Sequence, residues 1–515
     1  MKKITYLIFL MVLAFTSCED ATSIIQDGEI NDEVTFTSTS QMRLYLMEAY
    51  DKIDATTNAS NGVGLSSILT DEVGIGRGGS VSSAYRFNIF TDNGYSSAIW
   101  QDNYTVINYA NRILRGAGLV TPVDAADQLV YNDILAQARA LRAYAHLQLL
   151  TYFSPDMKND NALGVILMDR VPTLLERLPR NTNGEVFGLI EADLNYAYAN
   201  IQPSLTPTTK PWTYVSRGMI NAVRARMYAY RGNYALAEQF ATSAIADSGV
   251  GLANGTTPYS SALFYAAAGS NNQYKKMFQD LDRGEMIWSI GRSAGKTSIG
   301  SVYAVNLSTT AGVTLYDMNR NLFNIVNNNG GAIWDIRRYV NIDQPTIVND
   351  PNYLTSTNYQ TSDNLPIDKY SGTAGAGNAL VNDIKAFRVS EMVLIQAEGR
   401  VFANDLAGAA TLIKSIRDKR SITGPRPLPV YANATDAWGD IVDERRVELC
   451  FEGHRYIDLK RLGALANRAI DRHPLDCSTY SLATCSIPVT DYRFTLPIPL
   501  NETSGNPTIQ QNPNY

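Results

Sequence analysis

Three carboxylates, Glu444, Glu448 and Glu452, recur at four-residue intervals within ERRVELCFEGHRYIDLKR (444–461), a dense patch in a chain only 18% charged. On one helix they would share a face, with neighbouring carboxyls on the order of 6 Å apart. That is near the ~5–5.5 Å separation of a retaining glycosidase pair. Such a pair must flank the scissile bond from opposite sides, whereas these side chains point one way. Arg445 and Arg446 lie beside them and would lower the carboxyl pKa values, which spoils a general acid. An ionic brace fits better. It pairs Arg445 with Glu448 or Glu452, and Arg455 with Asp458, as helix neighbours, with Gly453 permitting a break between two helices. No residue is assigned a catalytic role, and the chain is read as a non-enzyme.

Other reactive residues are sparse. His146, His454 and His473 are scattered, which argues against a Ser–His or Cys–His nucleophile system. Cys450 lies in a helical pattern and reads as a buried thiol, while Cys477 and Cys485 share a loop-like stretch and are candidates for a disulfide. No cysteine–histidine spacing suggests zinc, so neither metal nor cofactor is expected. The run GIGRGGS (74–80) lacks the Gly-Lys-Ser/Thr ending of a phosphate cradle and reads as a flexible loop. Net charge is −6 with no Lys/Arg block, so no nucleic-acid partner is expected.

Helices must position whatever the chain binds. Residues 126–152 place Ile134, Ala138, Leu141, Ala145, Leu149 and Tyr152 on one stripe, ended by Pro155. Residues 96–115 and 184–200 read as two more helices, the second with Asn183 as its cap. Two helical hairpins follow, 216–245 broken at Gly232-Asn233 and 390–420 broken at Asn404-Asp405, with Ala or Gly where the helices must meet. The phrase Tyr230-Arg-Gly-Asn-Tyr-Ala-Leu-Ala resembles a tetratricopeptide turn, but no regular 34-residue period follows. Between the hairpins, residues 249–385 are rich in Gly, Asn, Ser, Thr and Tyr, with strand-like pieces at 286–290 and 302–307; residues 55–92 have the same texture. Long insertions of this kind are usually functional.

The N-terminus reads as a targeting segment. Lys2 and Lys3 precede an apolar run at 4–15, too short to span a bilayer, and then Thr16-Ser17-Cys18. This resembles a bacterial lipoprotein signal at residues 1–17 with lipidation at Cys18, followed by a polar tether over 18–36. Residues 37–515 then form a single domain, with helix pairs within about 37–248 and 386–463 and ligand-side insertions at about 55–92 and 249–385.

The 444–461 segment resembles the C-terminal motif of the SusD/RagB family, Glu-Arg…Glu-Leu…Glu-Gly…Arg…Asp-Leu-Lys-Arg. In the same order, ARALRAYAHLQLLTYFSP (138–155), FRVSEMVLIQAEGR (387–400) and the closing Gln-Asn-Pro-Asn-Tyr (511–515) are similar to family segments. The resemblance implies a mostly α fold, in which tetratricopeptide-like helix pairs form a right-handed superhelical scaffold packed against long irregular loops with a few short strands. It implies a lipid-anchored protein on the surface of a Gram-negative outer membrane. Such a protein captures an oligosaccharide, or less often a peptide, and delivers it to a SusC-like TonB-dependent porter. A surface glycoside hydrolase is the alternative, and a structural adhesin ranks third.

Sugar capture calls for flat aromatic faces and polar side chains to bond hydroxyls. The insertions offer Trp334 beside Asp335 and Arg337, with Tyr303, Tyr316 and Tyr339, and with Arg77 and Tyr85 in the earlier loop. Trp100 and Trp288 lie within regular patterns and read as core, whereas Trp212 fits either role.

Overall fold

The computed structural model describes residues 35–53, 61–173, 176–256, 272–292, 298–306, 313–342, 353–357, 364–373, 378–482 and 484–515. The expected signal peptide, Cys18 and most of the tether lie outside the described residues, as do parts of both insertions. Among the described residues no helix is long and apolar enough to cross a membrane.

Helices dominate, and side chains that satisfy orphan backbone N–H groups mark where they begin. Helices α1 (Thr39–Ile53) and α2 (Gly62–Ile68) precede strand β1 (Val73–Ile75). Helix α3 (Gly94–Gly116) starts on Asn93, whose side chain accepts from the N–H groups of Tyr95 and Ser96. The long α4 (Ala125–Phe153) starts on Asp124 and stops at Ser154, just before Pro155. Helix α5 (Asn183–Asn200) is capped by Thr182, not by Asn183. Thr182 and Glu185 form a reciprocal capping box that satisfies two donors where Asn183 alone would satisfy one. The Asn183 amide instead donates to the carbonyls of Asp156 and Asn159, at 2.7 and 3.0 Å. Helices α6 (Arg217–Tyr230) and α7 (Tyr234–Ser248) form the first hairpin, turned by Gly232 at φ +74° and capped by Asn233.

The insertions are less irregular than their composition suggests. After α7 come α8 (Gln273–Phe278), β2 (Met286–Ile290), β3 (Ala304–Asn306), β4 (Val313–Thr314), β5 (Tyr316–Met318), α9 (Arg320–Val326), α10 (Arg337–Asn341), β6 (Gly372–Thr373), β7 (Asn378–Ala379) and β8 (Ile384–Arg388). The strands pair antiparallel as β1–β5, β2–β8, β3–β4 and β6–β7. The glycine run 74–80 is not a free loop. The N–H groups of Gly76 and Gly78 donate to the carbonyls of Leu315 and Thr314, at 3.0 and 2.8 Å. A Cβ on Gly79 would fall 2.0 Å from the Leu315 carbonyl oxygen. The glycines therefore permit backbone-to-backbone contact with the second insertion.

Helices α11 (Val389–Phe402) and α12 (Leu406–Arg420) form the second hairpin, followed by the pair α13 (Ala434–Glu448) and α14 (Arg455–Ala466), then the short α15 (Pro474–Ser478) and α16 (Leu500–Gly505). The most extensive contacts join α3 to α4, α4 to α5, α6 to α7, α11 to α12 and α13 to α14, and α11 also packs on α7 across the second insertion. That last contact closes the scaffold, and it depends on Gly399. A Cβ there would lie 2.7 Å from the Glu238 Cβ on α7. One apolar core runs from Phe36 to Ile509 and includes Trp100 and Trp288. Trp212 is half-buried against a smaller cluster of Tyr274, Met277, Phe278 and Ile336.

Gly399→Val should therefore overpack the α7–α11 contact and destabilise the fold by ~1–3 kcal/mol. Gly188→Ala, inside α5 with nothing within 4 Å of a new Cβ, should stabilise it by ~0.5–1 kcal/mol. Urea midpoints at constant m-value check both. Equal shifts for the two variants would contradict this packing.

Candidate functional site

The charged segment is a buried lattice of ion pairs. Glu448 ends α13, and its two oxygens accept from Arg388 and Arg420 at 2.9 Å and from Arg337 and Arg420 at 3.1 Å. Glu285 bonds Arg388 and Arg420 from the strand side. Glu452 accepts from Arg388 at 2.8 Å and from Lys369 at 2.6 Å. Glu444 accepts from Arg337 and Arg417, and Asp335 holds Arg337 at 2.6 Å. Each acid is met by a base, so the cluster is close to neutral.

A second group joins Arg445 to Asp458 at 2.7 Å and Arg461 to Glu398 and Asp458. Arg455 pairs with Asp71 at 2.8 Å. The helix-neighbour pairings expected for Arg445 and Arg455 are thus replaced by partners from other elements. The reason is geometric. Helix α13 stops at Glu448, and Phe451 (φ +63°) and Gly453 (φ +88°) swing Glu452 off the helix face.

Burial alone would raise the carboxyl pKa of Glu448, but Arg420 and Arg388 outweigh it and hold the group well below its usual value. Glu444 is lowered against burial by Arg337 and Arg417, and Glu285 by Arg420 and Arg388. These groups stay ionised at neutral pH, so none can donate a proton to a leaving group there. Glu72 differs. Burial dominates, and it is pushed up to about 7 although Ser67 and the Phe451 N–H bond it.

The expected ligand residues divide between two places. Arg77 is exposed on the glycine strip. Tyr85, Tyr303 and Tyr316 are buried, at 0%, 1% and 9% exposure, so their rings cannot stack on a ligand. Tyr85 lies under the Arg472 guanidinium, Tyr303 packs on Phe451, and the Tyr316 hydroxyl reaches Ser82. Composition could not reveal this, because Arg472 and Phe451, which pack on Tyr85 and Tyr303, lie far along the chain from them. Tyr339 is half-buried beneath Arg338.

Of the predicted aromatics, Trp334 lines an open groove of about 700 Å³. Its indole N–H donates to Asn328 at 3.2 Å, and the Arg426 guanidinium lies 4.0 Å from the ring centre. Residues 426–431 line it as well, with Leu428 and Val430 at 50% and 92% exposure. The lining also includes Asp436 and Asp440 of α13, the latter bonded by Arg417 and by the Tyr431 hydroxyl at 2.7 Å. Sequence reasoning missed the 426–431 segment. Its signal was available in Pro425, Pro427 and Pro429, which alternate with Arg426, Leu428 and Val430 and hold an extended strip. A second hollow of about 420 Å³ lies between Trp100, Tyr104 and Glu502. Cys477 and Cys485 are joined in a disulfide beside the buried Asp476–Arg320 pair, and Cys450 is a buried free thiol.

Stability should depend on pH in two senses. The lowered carboxyls of the cluster contribute stability that is present above the unfolded value of ~4.3 and is lost as pH falls. Glu72, raised, contributes stability that is present below ~4.3 and is lost as pH rises through about 7. Glu72→Gln should therefore flatten the decline between pH 5 and pH 7.5 by on the order of 2–3 kcal/mol in urea unfolding. An unchanged slope would assign that titration elsewhere.

Comparison with known proteins agrees with this architecture. Residues 324–515 match the model of the SusD family. SusD-like protein P2 of Formosa agariphila is 22% identical over 485 residues, covering 89% of this chain and 90% of its own. A putative sugar-binding protein from Bacteroides vulgatus superposes with a TM-score of 0.72 at 23% identity, over 93% of this chain and 99% of that one. A laminarin-binding SusD-like protein superposes with a TM-score of 0.66 at 20% identity, over 93% and 100%. The ordered motifs, the helix-pair scaffold and these matches make the chain similar to SusD-like proteins, with residues 324–515 matching the model of the SusD family.

Proposed function

We propose that this protein is a surface lipoprotein that captures an oligosaccharide and delivers it to a SusC-like TonB-dependent porter in the outer membrane. The observation that carries the reading is a half-buried tryptophan lining an open groove, next to an ionic cluster whose carboxylates are committed to arginines. Binding needs such a rigid, preformed surface and no proton donor. The relatives support the ligand class, since one is a putative sugar-binding protein and another binds laminarin. The segment from Lys2 to Cys18 supports a lipid anchor that holds residues 37–515 as one domain at the membrane surface. The hydrolase alternative requires two carboxyls facing each other across a bond with one of them protonated, and Glu444 and Glu448 offer neither.

Calorimetric titration of the chain from residue 19 onward against a panel of glycans and peptides tests this. At least one glycan should bind, and no reducing sugar should be released. Trp334→Ala should weaken that binding about tenfold or more, ~1.4 kcal/mol, with little change in Tm because the ring lies outside the apolar core. Turnover of a glycan, or an unchanged affinity in the variant, would contradict the proposal.

A further inference from the structure

Arg426 stands apart from the other arginines of the groove. Arg337 is held by Asp335, Glu444 and Glu448, Arg417 by Asp440 and Glu444, and Arg468 by Asp443 at 2.7 Å. Among the described residues the Arg426 guanidinium meets no carboxylate within ion-pair distance. Asp418 accepts the Arg426 backbone N–H at 2.7 Å and pairs with Lys414; against partial burial, Lys414 and the Arg426 charge lower its carboxyl pKa.

The side chain is nevertheless placed. Pro425 and Pro427 restrict the backbone on either side, Gly424 turns the chain at φ +106°, and the guanidinium lies 4.0 Å from the Trp334 ring centre. Stacking satisfies a guanidinium face and leaves its in-plane N–H groups free, and those match the two oxygens of a carboxylate or sulfate. An arginine so oriented loses little further rotamer entropy when an anion arrives.

Trp334 then serves the ligand through Arg426 as well as directly, since one indole face is already occupied. Asp436, in the first turn of α13, is in no ion pair; its carboxylate accepts from the Ala432 N–H and from the side-chain amide of Asn433, the residue that caps the helix. It remains able to accept from sugar hydroxyls. Among the charged side chains of the lining, Arg426 is the cation and Asp436 the carboxylate that stand outside the ion pairs.

We propose that the groove at Trp334 selects an anionic saccharide, with Arg426 clasping a uronate carboxylate or sulfate ester while the sugar ring lies along Trp334 and Leu428. This rests on the capture reading and narrows it to a charge class. A neutral glycan would leave the stacked guanidinium to water, at no gain over any other solvent-exposed arginine.

Calorimetry with three tetrasaccharides separates the possibilities: tetragalacturonate, its methyl ester and maltotetraose. A sulfated galactan oligosaccharide in a fourth arm distinguishes sulfate from carboxylate. The expected result is binding of an anionic probe at least tenfold tighter than the ester, weakening with added salt. Arg426→Gln should abolish that preference and Arg426→Lys should restore part of it. Thermal melts within about 2–3 °C of wild type establish that both variants fold.

Equal binding of ester, maltotetraose and tetragalacturonate, unaffected by Arg426→Gln, would overturn this inference and leave glycan capture standing. Failure of every saccharide, with Arg426-dependent binding of triglutamate, would overturn both in favour of an acidic peptide.

Discussion

The structure depends on a buried glutamate. Glu448 lies at the end of α13 and is fully enclosed, with Arg337, Arg388 and Arg420 around it. Those three arginines come from α10, from β8 and from the last turn of α12. Removing such charges from water is costly, and their mutual attraction repays it only when the geometry and hydrogen bonding are close to complete. Net stabilisation is therefore not the cluster's main contribution. Its contribution is uniqueness: any other docking of the second insertion on the helices would strand a charge, at ~3–5 kcal/mol for each broken pair.

This constraint explains how a chain rich in Gly, Asn and Ser presents a defined surface. Trp334 is one residue from Asp335, which holds Arg337. Arg426 lies six residues beyond Arg420, which reaches Glu448 and Glu285. Both of these lining segments thus begin at residues locked in the ionic lattice, while the groove itself stays open. Recognition on short loops tolerates little slack, and side chains fixed by a supporting shell supply the precision that loop backbone lacks. The same logic extends to the first insertion, where Asp71 is held by Arg455 and Arg446 and the glycine strip is fastened to β4 and β5.

Much of the scaffold was legible from the sequence because helix information is local. Asn233, Pro155 and the apolar stripe of α4 mark starts, stops and buried faces within a few residues of where they act. Asn183 misled only because Thr182 and Glu185 together satisfy more donors. The ion pairs were legible as a brace but not in their partners. Spacing identifies neighbours on one helix, whereas Arg445, Arg455 and Glu448 pair with residues up to several hundred positions away. Tyr85, Tyr303 and Tyr316 were misplaced for a related reason. An aromatic in a polar loop looks exposed until the long-range contact that buries it is known. Arg426 carried a signal in its flanking prolines, and what gave it meaning was the tryptophan beneath it, 92 positions earlier in the chain.

Hydrogen exchange on Glu448→Gln addresses the central claim most directly. If the cluster sets the docking of insertion on scaffold, α10, the β2–β8 pair and the end of α12 should lose protection together, while α4 and α5 keep theirs. Loss confined to the end of α13, with α10 and β2–β8 still protected, would show that apolar packing alone fixes the insertion and that the buried charges are incidental.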